Sequence, residues 1–383
     1  MMAERLKILL WGTADFGKPR SRILRQGLQE EGVLVGECVI DVWDRVDDKS
    51  QVKGLWARLR LILKWVCAYP ILVWKYLRAP RHDMVFVAYL GHFDVLVLWP
   101  FAKMRGATIV WDAFLSLYDT IVCDRRLVPT GSLRAWCIKQ FERLVCAAAD
   151  VIVLDTVAHA DYFKTQYSIP NNKFVSAFVG AEVDIFQAQN ISKRNQIAGK
   201  CRVLFYGQFI PLHGIEFIIE AARLTKDPSI EWVIIGRGQE TDKIQTIMKN
   251  DNISSVTFMD WVEYEQLPEV IAKADICLGV FGKSDKAARV IPNKVFQIIA
   301  VGRPLITLEC PAISELISSN TPGVWLVPAG SGEAIARAVE DAKNWLWEGD
   351  QELLYEGVRA GISPKVIAQT LIQSLTETYE GRC

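Results

Sequence analysis

The sequence predicts an α/β protein with two doubly wound parallel sheets. Short apolar runs alternate with segments of helical periodicity, a pattern typical of parallel strands covered by helices on both faces. The chain of 383 residues is long enough for two domains with separate cores. A polar stretch without periodicity at 187–200 (QAQNISKRNQIAGK) interrupts the alternation and is the best candidate for a linker.

The first half alternates strands with helices in chain order. Strands are predicted at 7–11, 33–41, 84–88, 108–111 and 151–154, and helices at 20–31, from 93, and near 133–147. The loop at 12–19, which contains Gly12 and Gly17, ends the first strand. We assign 1–190 to an N-terminal Rossmann-like domain.

The second half repeats this alternation as a complete Rossmann-like domain, assigned to 191–362. Strands are predicted at 202–206, 231–235, 256–259, 276–280 and 305–308, and helices at 215–224, 241–249, 267–273 and 295–301. The tail from 333 is expected to be helical throughout, and its last helix lies near 363–379.

Composition excludes several classes of protein. The formal net charge is zero, so no global field recruits nucleic acid. Nine cysteines without a Cys-x-x-Cys pair indicate reduced thiols in a cytoplasmic protein, with neither a disulfide frame nor a zinc site. Charged residues near the start (Glu4, Arg5, Lys7) argue against a signal peptide. The acidic run Asp41, Asp44, Asp47 and Asp48 is interpreted as a solvated loop, so no metal is expected.

The stretch 55–77 is the most apolar of the chain and is rich in tryptophan and leucine. Its longest uncharged run, Trp65 to Trp74, is too short to span a bilayer, and Pro70 is expected to kink or split the helix. Basic residues share one stripe of about 60° on a helical wheel. They are Lys53, Arg60, Lys64, Lys75 and Arg78, whereas Arg58 lies off the stripe. Residues 55–78 therefore fit either an anionic membrane surface or a buried helix with a solvated edge.

Two loops in the second half have the form of phosphate sites. Gly207 to Gly214 follows a strand and precedes a helix, and so does Arg289 to Gln297. Such turns aim helix amide groups at a ligand's phosphates. Lys283, Lys286, Arg289 and Lys294 lie on or before the second loop. Arg289 and Lys294, which flank the helix start, are the favoured phosphate contacts, although all four can be ordinary surface charges.

An ordered set of motifs over about 200 to 320 resembles the family 4 glycosyltransferases of GT-B fold. The motifs are Tyr206-Gly207-x-x-x-Pro211-x-x-Gly214, Ile235-Gly236-x-Gly238, Val256-x-Phe258, Ala274-Asp275-Ile276 and Pro292-Asn293-Lys294-Val295-Phe296 followed by Ala300-x-Gly302-x-Pro304. The resemblance implies transfer of a sugar from a nucleotide-diphosphate sugar, bound by the C-terminal domain, to an acceptor hydroxyl held by the N-terminal domain. It also implies retention of anomeric configuration, no cofactor or metal, and a last segment, 363–383, that crosses back to the N-terminal domain.

The resemblance also implies a set of donor-binding residues. They are Gly12, Gly17, Gly207, Gln208, His213, Gly236, Gly238, Arg289, Asn293, Lys294 and Gln297. Members of the family carry Arg and Lys where this chain has Gln208 and His213, and two glutamates where it has Arg289 and Gln297. We interpret the exchange as a transfer of diphosphate neutralisation to the second loop, with Gln297 hydrogen-bonding the ribose.

The ends of two strands in the first half suggest an acceptor site. Asp112 is ranked first as general base and His92 second, because carboxylates and imidazoles at strand ends suit proton transfer. Arg20 and Arg22 can meet an acceptor phosphate or be solvated helix charges. The polar loop with Asp119, Asp124, Arg125 and Arg126 is expected to shape the acceptor pocket. A carbohydrate or lipid-linked acceptor at the inner face of the cell membrane follows if 55–78 binds lipid.

Other classes of protein stay open at this stage. A non-catalytic nucleotide-sugar binder or partner subunit would keep the fold and lose turnover. A sugar-nucleotide epimerase of GT-B shape would convert a donor without an acceptor. A nicotinamide oxidoreductase is disfavoured, because Gly236-x-Gly238 lacks a third glycine and Gly12 to Gly17 lacks the spacing.

Overall fold

The computed structural model describes residues 6–42, 55–189, 199–250, 255–348 and 353–380. The chain divides into two compact units. The first comprises Met1–Val122, Val128–Val179 and Pro364–Cys383, and the second comprises Cys123–Leu127 and Gly180–Ser363. Most of the expected linker, the acidic residues Asp44 to Asp48, and Lys53 lie outside the described residues.

The first unit contains a six-stranded parallel sheet with the order β2-β1-β3-β4-β5-β6 among the described residues. Its strands are β1 (Ile8–Gly12), β2 (Leu34–Val39), β3 (Met84–Val87), β4 (Thr108–Asp112), β5 (Val151–Leu154) and β6 (Phe174–Ser176). Its helices are α1 (Pro19–Glu30), α2 (Leu55–Leu77), α3 (His92–Arg105), α4 (Leu133–Ala148) and α5 (Val157–Tyr167). Strand residues such as Trp11 and Trp111 are fully buried, as expected for a sheet covered on both faces.

Helix α2 is one continuous element through Pro70, so the proline does not split it, and a kink there stays a prediction. A proline removes one helical hydrogen bond, so packing contributes to the continuity of the helix. Ala68, Leu72 and Tyr76 lie on the buried side of the helix on both sides of the proline, in the core of the first unit. The Trp11 indole nitrogen also donates to the Leu72 carbonyl (3.2 Å).

The second unit contains another six-stranded parallel sheet, with the order β12-β11-β10-β7-β8-β9 in its described part. Its strands are β7 (Cys201–Tyr206), β8 (Ile230–Ile235), β9 (Val256–Met259), β10 (Ile276–Leu278), β11 (Leu305–Leu308) and β12 (Val324–Val327). Its helices are α6 (Ile215–Leu224), α7 (Thr241–Asn250), α8 (Leu267–Ala272), α9 (Asn293–Val301), α10 (Pro311–Ser314), α11 (Gly332–Glu348) and α12 (Glu356–Gly361). The prediction of an α/β protein with two doubly wound sheets is confirmed.

The expectation that the tail from 333 is helical throughout is wrong. Residues 353–355 separate α11 from α12, and Tyr355 has a positive φ of 63°. A further helix, α13 (Pro364–Glu380), belongs to the first unit and packs on α1. This packing is close, because a Cβ on Gly27 would lie 2.1 Å from the Pro364 carbonyl oxygen. Pro364 at the first position of α13 lacks an N–H that a continuing helix would need, which favours a new start there.

Among the described elements, strands β6 and β12, the short helix α10 and the π-helix were not predicted. Strands β6 and β12 are edge strands of three and four residues, too short to show a clear alternation. Residues Asp119–Asp124 form a π-helix, a rare geometry that is frequent at functional sites.

Candidate functional site

The sheet of the second unit changes winding direction between β7 and β10. From β7 the chain adds β8 and β9 on one side, and then crosses to add β10 on the other side. Ligands of doubly wound sheets bind at the carboxyl ends of the strands at such a switch point. Gly207 follows β7, and the loop 279–292 follows β10, so both loops singled out from the sequence lie at this edge.

Gly207 and the glycine pair Gly236 and Gly238 form one close-packed turn system. A Cβ on Gly236 would lie 1.9 Å from the Gly207 carbonyl oxygen, and one on Gly238 would lie 2.7 Å from the backbone nitrogen of Phe209. Gly207 and Gly236 also have φ values of 138° and 143°, which favour glycine. Gly236 and Gly238 therefore let the loop after β8 pack closely against the turn that follows β7.

His213 lies at the end of a short 3₁₀ helix (Pro211–His213) and is buried. Its Nδ1 contacts the carbonyl oxygen of Gln208, and its ring meets Phe205 edge to face at 5.7 Å. Burial, and then the positive charge of Lys294, hold the pKa of His213 well below its usual range. The imidazole is therefore neutral near pH 7, with Nδ1–H donating to Gln208 and Nε2 left as an acceptor.

Lys294 is a buried lysine at the start of α9. It is 5% exposed, and its Nζ lies 3.8 Å from the centre of the Phe205 ring. The Nζ has no hydrogen-bond partner among the described residues, although the atom is inaccessible to solvent. It points at the first loop, since a Cβ on Gly207 would lie 2.9 Å from it. Burial lowers the pKa of this ammonium group well below its usual range. A buried cation without a hydrogen-bond acceptor is expensive, and an anion at the Gly207 turn would relieve that cost.

The other residues predicted on the second loop have different surroundings. Gln297 is buried, and its Oε1 accepts a hydrogen bond from the Tyr206 hydroxyl (2.9 Å). Asn293 is the first residue of α9 and is half-buried, as is Arg289 in the preceding turn. The structure thus places Lys294 against the Gly207 turn and Gln297 against Tyr206, the last residue of β7.

The segment Cys123–Leu127 also contributes to this part of the second unit. The Arg125 guanidinium approaches the side-chain oxygen of Gln208 (Nη2 to Oε1, 3.4 Å). The backbone carbonyl of Arg125 accepts a hydrogen bond from Gln239 Nε2 (2.9 Å). Arg125 therefore lies beside the first loop, Gly207 to Gly214, and its role in an acceptor pocket stays a prediction.

The sheet of the first unit has its own switch point, between β1 and β3. Gly12 ends β1 with a φ of 123°, and a Cβ there would lie 2.5 Å from Asp94 Oδ2. The buried Asp94 carboxylate accepts hydrogen bonds from the Thr13 backbone nitrogen (2.7 Å) and the Tyr69 hydroxyl (2.8 Å). Burial raises the pKa of Asp94 to about 6, against the opposing effect of these hydrogen bonds. Gly17, farther along the loop, donates its N–H to Asp15 (2.9 Å).

Asp112, ranked first as a general base, is paired with Arg20. Arg20 Nε lies 2.8 Å and 3.0 Å from the two carboxylate oxygens, and Nη2 lies 2.7 Å from Oδ1. Both side chains are fully buried, and Arg20 Nη1 also donates to the Ala177 carbonyl (3.0 Å). Burial raises the pKa of Asp112, and Arg20 opposes this shift. Arg20 is therefore neither a solvated helix charge nor exposed to an acceptor phosphate, and the geometry gives the pair a structural role.

His92, ranked second, belongs to a buried network around Glu142. Its Nε2 lies 3.3 Å from Glu142 Oε1, and its ring packs edge to face on Trp111 at 4.8 Å. Glu142 also accepts from the hydroxyls of Ser116 and Tyr167. Burial alone would raise the pKa of Glu142, but hydrogen bonds, led by that from His92, hold it below its usual range. This network anchors the turn that precedes the π-helix.

Sequence reasoning did not single out Asp94, and it placed Arg125 in an acceptor pocket without indicating a contact with Gln208. Asp94 stands two residues after His92, and Gly12 is the local hint that a side chain lies close to the end of β1. No pattern near Arg125 indicates its contact with Gln208, which is 83 residues away in sequence.

The described residues contain no group of three or more His, Cys, Asp or Glu side chains placed to hold a metal ion. Nor does any helix in the described ranges have both the length and the apolar character needed to cross a membrane.

Residues 200–343 match the family model described as "Glycosyl transferases group 1". The segment contains the Gly207 turn, the Gly236 and Gly238 pair and the whole of α9. The match confirms the resemblance that the motifs indicated.

Among curated proteins, the chain is similar to the amylovoran biosynthesis glycosyltransferase AmsK of Erwinia amylovora. The two are 28% identical over 171 residues, which is 44% of this chain and 41% of the relative. The matched region thus spans about two fifths of the length of that relative.

Among solved structures, similarity extends over nearly the whole chain. The Anabaena protein HepE, solved in complex with UDP, is 11% identical with a TM-score of 0.68 and covers 97% of this chain and 100% of its own. A sucrose-phosphate synthase from Thermosynechococcus elongatus is 16% identical with a TM-score of 0.69 and covers 98% and 100%. These likenesses show that the fold is GT-B.

Proposed function

We propose, from the premise that residues 200–343 form a group 1 glycosyl transferase domain, that this protein transfers a sugar from a nucleotide-diphosphate sugar to an acceptor hydroxyl. One observation carries the proposal. The buried ammonium of Lys294 points, without a hydrogen-bond acceptor, at the glycine turn of the sheet's switch point. The solved complex of HepE with UDP and the biosynthetic role in the name of AmsK support it.

The donor diphosphate lies, in this proposal, between the Gly207 turn and the start of α9. Free amide groups at the N-terminus of α9 and the positive end of its dipole favour a phosphate there. Lys294 supplies the charge, and Arg289 adds a second one from the preceding turn. His213 is neutral and acts as a hydrogen-bonding group. Neutralisation by the second loop replaces the charges that the first loop lacks.

A panel of nucleoside diphosphates tests this donor site. We expect one of UDP, GDP, ADP, CDP and TDP, or its sugar conjugate, to raise the melting temperature of the protein, because a ligand that binds only the folded state stabilises it. Lys294→Met should reduce that shift strongly, whereas Lys283→Met, an exposed lysine of the same loop, should not. Equal shifts in both variants would contradict the placement of the diphosphate.

Steady-state kinetics test the redistribution of charge between the loops. Arg289→Ala should raise the donor KM or lower kcat sharply, and Gln208→Ala should have little effect. The reverse pattern would refute the proposed role of the second loop. Donor conversion without an acceptor would indicate an epimerase, and binding without turnover would indicate a partner subunit.

We also propose that transfer retains the anomeric configuration and needs no metal or cofactor. The resemblance to group 1 enzymes supports both statements. Proton NMR of the first product formed reports the anomer, and the rate after exhaustive EDTA treatment reports the metal requirement. An inverted product, or activity restored only by a divalent cation, would contradict the proposal.

We propose further that α2 binds an anionic membrane surface and brings the enzyme to a lipid-linked acceptor. The outer face of α2 exposes large apolar side chains: Trp56, Leu59, Ile62, Leu63, Val66, Ile71, Trp74 and Leu77. Phe93 at the start of α3 extends this face, since it is 46% exposed and packs on Trp65. Arg60 and Lys64 are exposed on the same helix, and Arg78 stacks on Trp74 (4.2 Å). An apolar face flanked by basic residues matches an anionic bilayer.

Flotation with vesicles tests the membrane proposal. We expect co-flotation with vesicles of phosphatidylglycerol and phosphatidylcholine, and little with phosphatidylcholine alone. The variants Ile62→Ser/Leu63→Ser and Arg60→Gln/Lys64→Gln should lose flotation. Leu353→Ser, which changes a residue of the second unit that is 50% exposed, is the matched control. Unchanged flotation of both α2 variants would contradict the proposal.

A further inference from the structure

The segment Cys123–Leu127 has an unusual place in the fold. Residues on both sides of it belong to the first unit, but the segment itself belongs to the second. It follows directly on the π-helix Asp119–Asp124, which overlaps its first two residues. We call this segment, Cys123–Leu127, the strap. The strap carries two adjacent arginines, Arg125 and Arg126.

Within the second unit the strap contacts the loops that follow β7 and β8. Gln239, which follows the Gly236 and Gly238 pair, donates to the Arg125 carbonyl (2.9 Å). The Arg125 side chain approaches Gln208, the residue after Gly207 (Nη2 to Oε1, 3.4 Å). Its charge also contributes to lowering the pKa of His213, after burial and Lys294. Arg125 is thus close enough to act electrostatically on the first loop.

The first loop itself offers little charge to an anion. Between Gly207 and Gly214 the only titratable side chain is His213, whose environment favours the neutral imidazole. A nucleoside diphosphate carries a dense negative charge that cations or amide groups must neutralise. Lys294 supplies one such cation at the Gly207 turn, and Arg125 is positioned to supply another at Gln208.

We infer that Arg125 is a phosphate-binding residue of the donor site, contributed by the strap. The inference rests on the proposed function. On binding, the guanidinium, whose Nη2 lies 3.4 Å from Gln208 Oε1, donates to a phosphate oxygen beside the first loop. Hydrogen bonds between charged partners are shorter and about twice as strong as those between neutral ones, and guanidinium geometry suits phosphate. A bound donor then holds the strap against the first loop, Gly207 to Gly214.

Adjacent variants of the strap test the inference. Arg125→Gln and Arg126→Gln remove the same charge from neighbouring positions, and Arg126 is exposed. Titration calorimetry with UDP, GDP, ADP, CDP and TDP identifies the diphosphate that the unaltered protein binds. For that diphosphate we expect Arg125→Gln to weaken binding at least about tenfold, and Arg126→Gln to change it less than about twofold. Arg125→Lys should recover part of the loss, because it keeps the charge without the planar fork.

Limited trypsin digestion provides a second measurement. Cleavage after Arg125 and Arg126 should slow when the diphosphate saturates the protein, because the strap is then held. Arg125→Gln should lose this protection at Arg126 while it retains the unliganded melting temperature of the unaltered protein.

The outcomes separate the inference from the proposed function. If the protein binds a diphosphate and Arg125→Gln binds it equally well, the role of Arg125 is refuted and the proposed function stands. Unchanged strap cleavage at saturation also refutes the role. If none of the diphosphates or their sugar conjugates binds the unaltered protein, the proposed function fails and the inference fails with it.

Discussion

Replacement of Asp112 by Asn separates a structural role from a catalytic one. Asp112 ends β4, at the position where the sequence favours a general base, but its carboxylate is fully buried against Arg20. If the ion pair is its main task, Asp112→Asn should destabilise the first unit. If Asp112 transfers a proton, the variant should instead fold normally and lose activity.

The size of the effect follows from the geometry of the pair. Arg20 makes contacts of 2.7 to 3.0 Å with both carboxylate oxygens, and neither side chain is exposed. Loss of one partner of a buried ion pair costs about 3–5 kcal/mol, because the remaining charge stays buried without compensation. Asn keeps the shape and one acceptor oxygen, so we expect the lower end, about 3 kcal/mol. For a unit of this size the melting temperature should fall by about 6–12 °C.

Thermal and urea unfolding followed by circular dichroism measure this loss. The double variant Arg20→Met/Asp112→Leu should lose less unfolding free energy than the two single variants lose in sum, because it leaves no unpaired buried charge. Lys103→Met is the control, because its pair with Asp150 (3.0 Å) is half exposed on the lysine side and should be worth less than about 1 kcal/mol. An Asp112→Asn protein with unaltered stability and abolished transfer would refute this reasoning and restore Asp112 as the candidate base.

The remaining predictions concern the two switch points. Gly12→Ala should destabilise the first unit by about 1–3 kcal/mol, since φ is 123° and the Cβ would meet Asp94; Gly357→Ala, with open space around it, should be neutral in the same melting experiment. Burial raises the pKa of Asp94 to about 6 in the folded protein, so the folded state binds this proton more tightly than the unfolded state does. The free energy of unfolding should therefore fall as the pH rises through 6. We therefore expect the free energy of unfolding of Asp94→Asn, measured with urea and taken relative to that of the unaltered protein, to rise by about 1–1.5 kcal/mol from pH 5 to pH 7.5. Lys294→Met should stabilise the protein without ligand near neutral pH, because burial disfavours the charged amine, and this gain should shrink as the pH approaches about 10.

Local sequence patterns were sufficient to predict most of the sheet strands. A strand buried on both faces needs an apolar run, and a turn at its carboxyl end needs glycine or proline, so β1, β7 and β8 are visible without neighbours. Short edge strands such as β6 escape this reasoning, because three residues carry no period. The continuity of α2 through Pro70 depends on core packing, which the local sequence does not report.

The sequence by itself determined the fold class, the resemblance to group 1 glycosyltransferases and the unusual residues of the loops at 207–214 and 289–297. Gln208 and His213 are visible departures at fixed positions in ordered motifs. Only the tertiary structure decided which charged side chains are buried and what they meet. Asp112 joins Arg20 across 92 residues, and Arg125 reaches Gln208 across 83. Solvation and pairing are set by long-range contacts, so an aspartate at a strand end and an arginine on a polar loop look alike in sequence whether they act on a ligand or hold the fold.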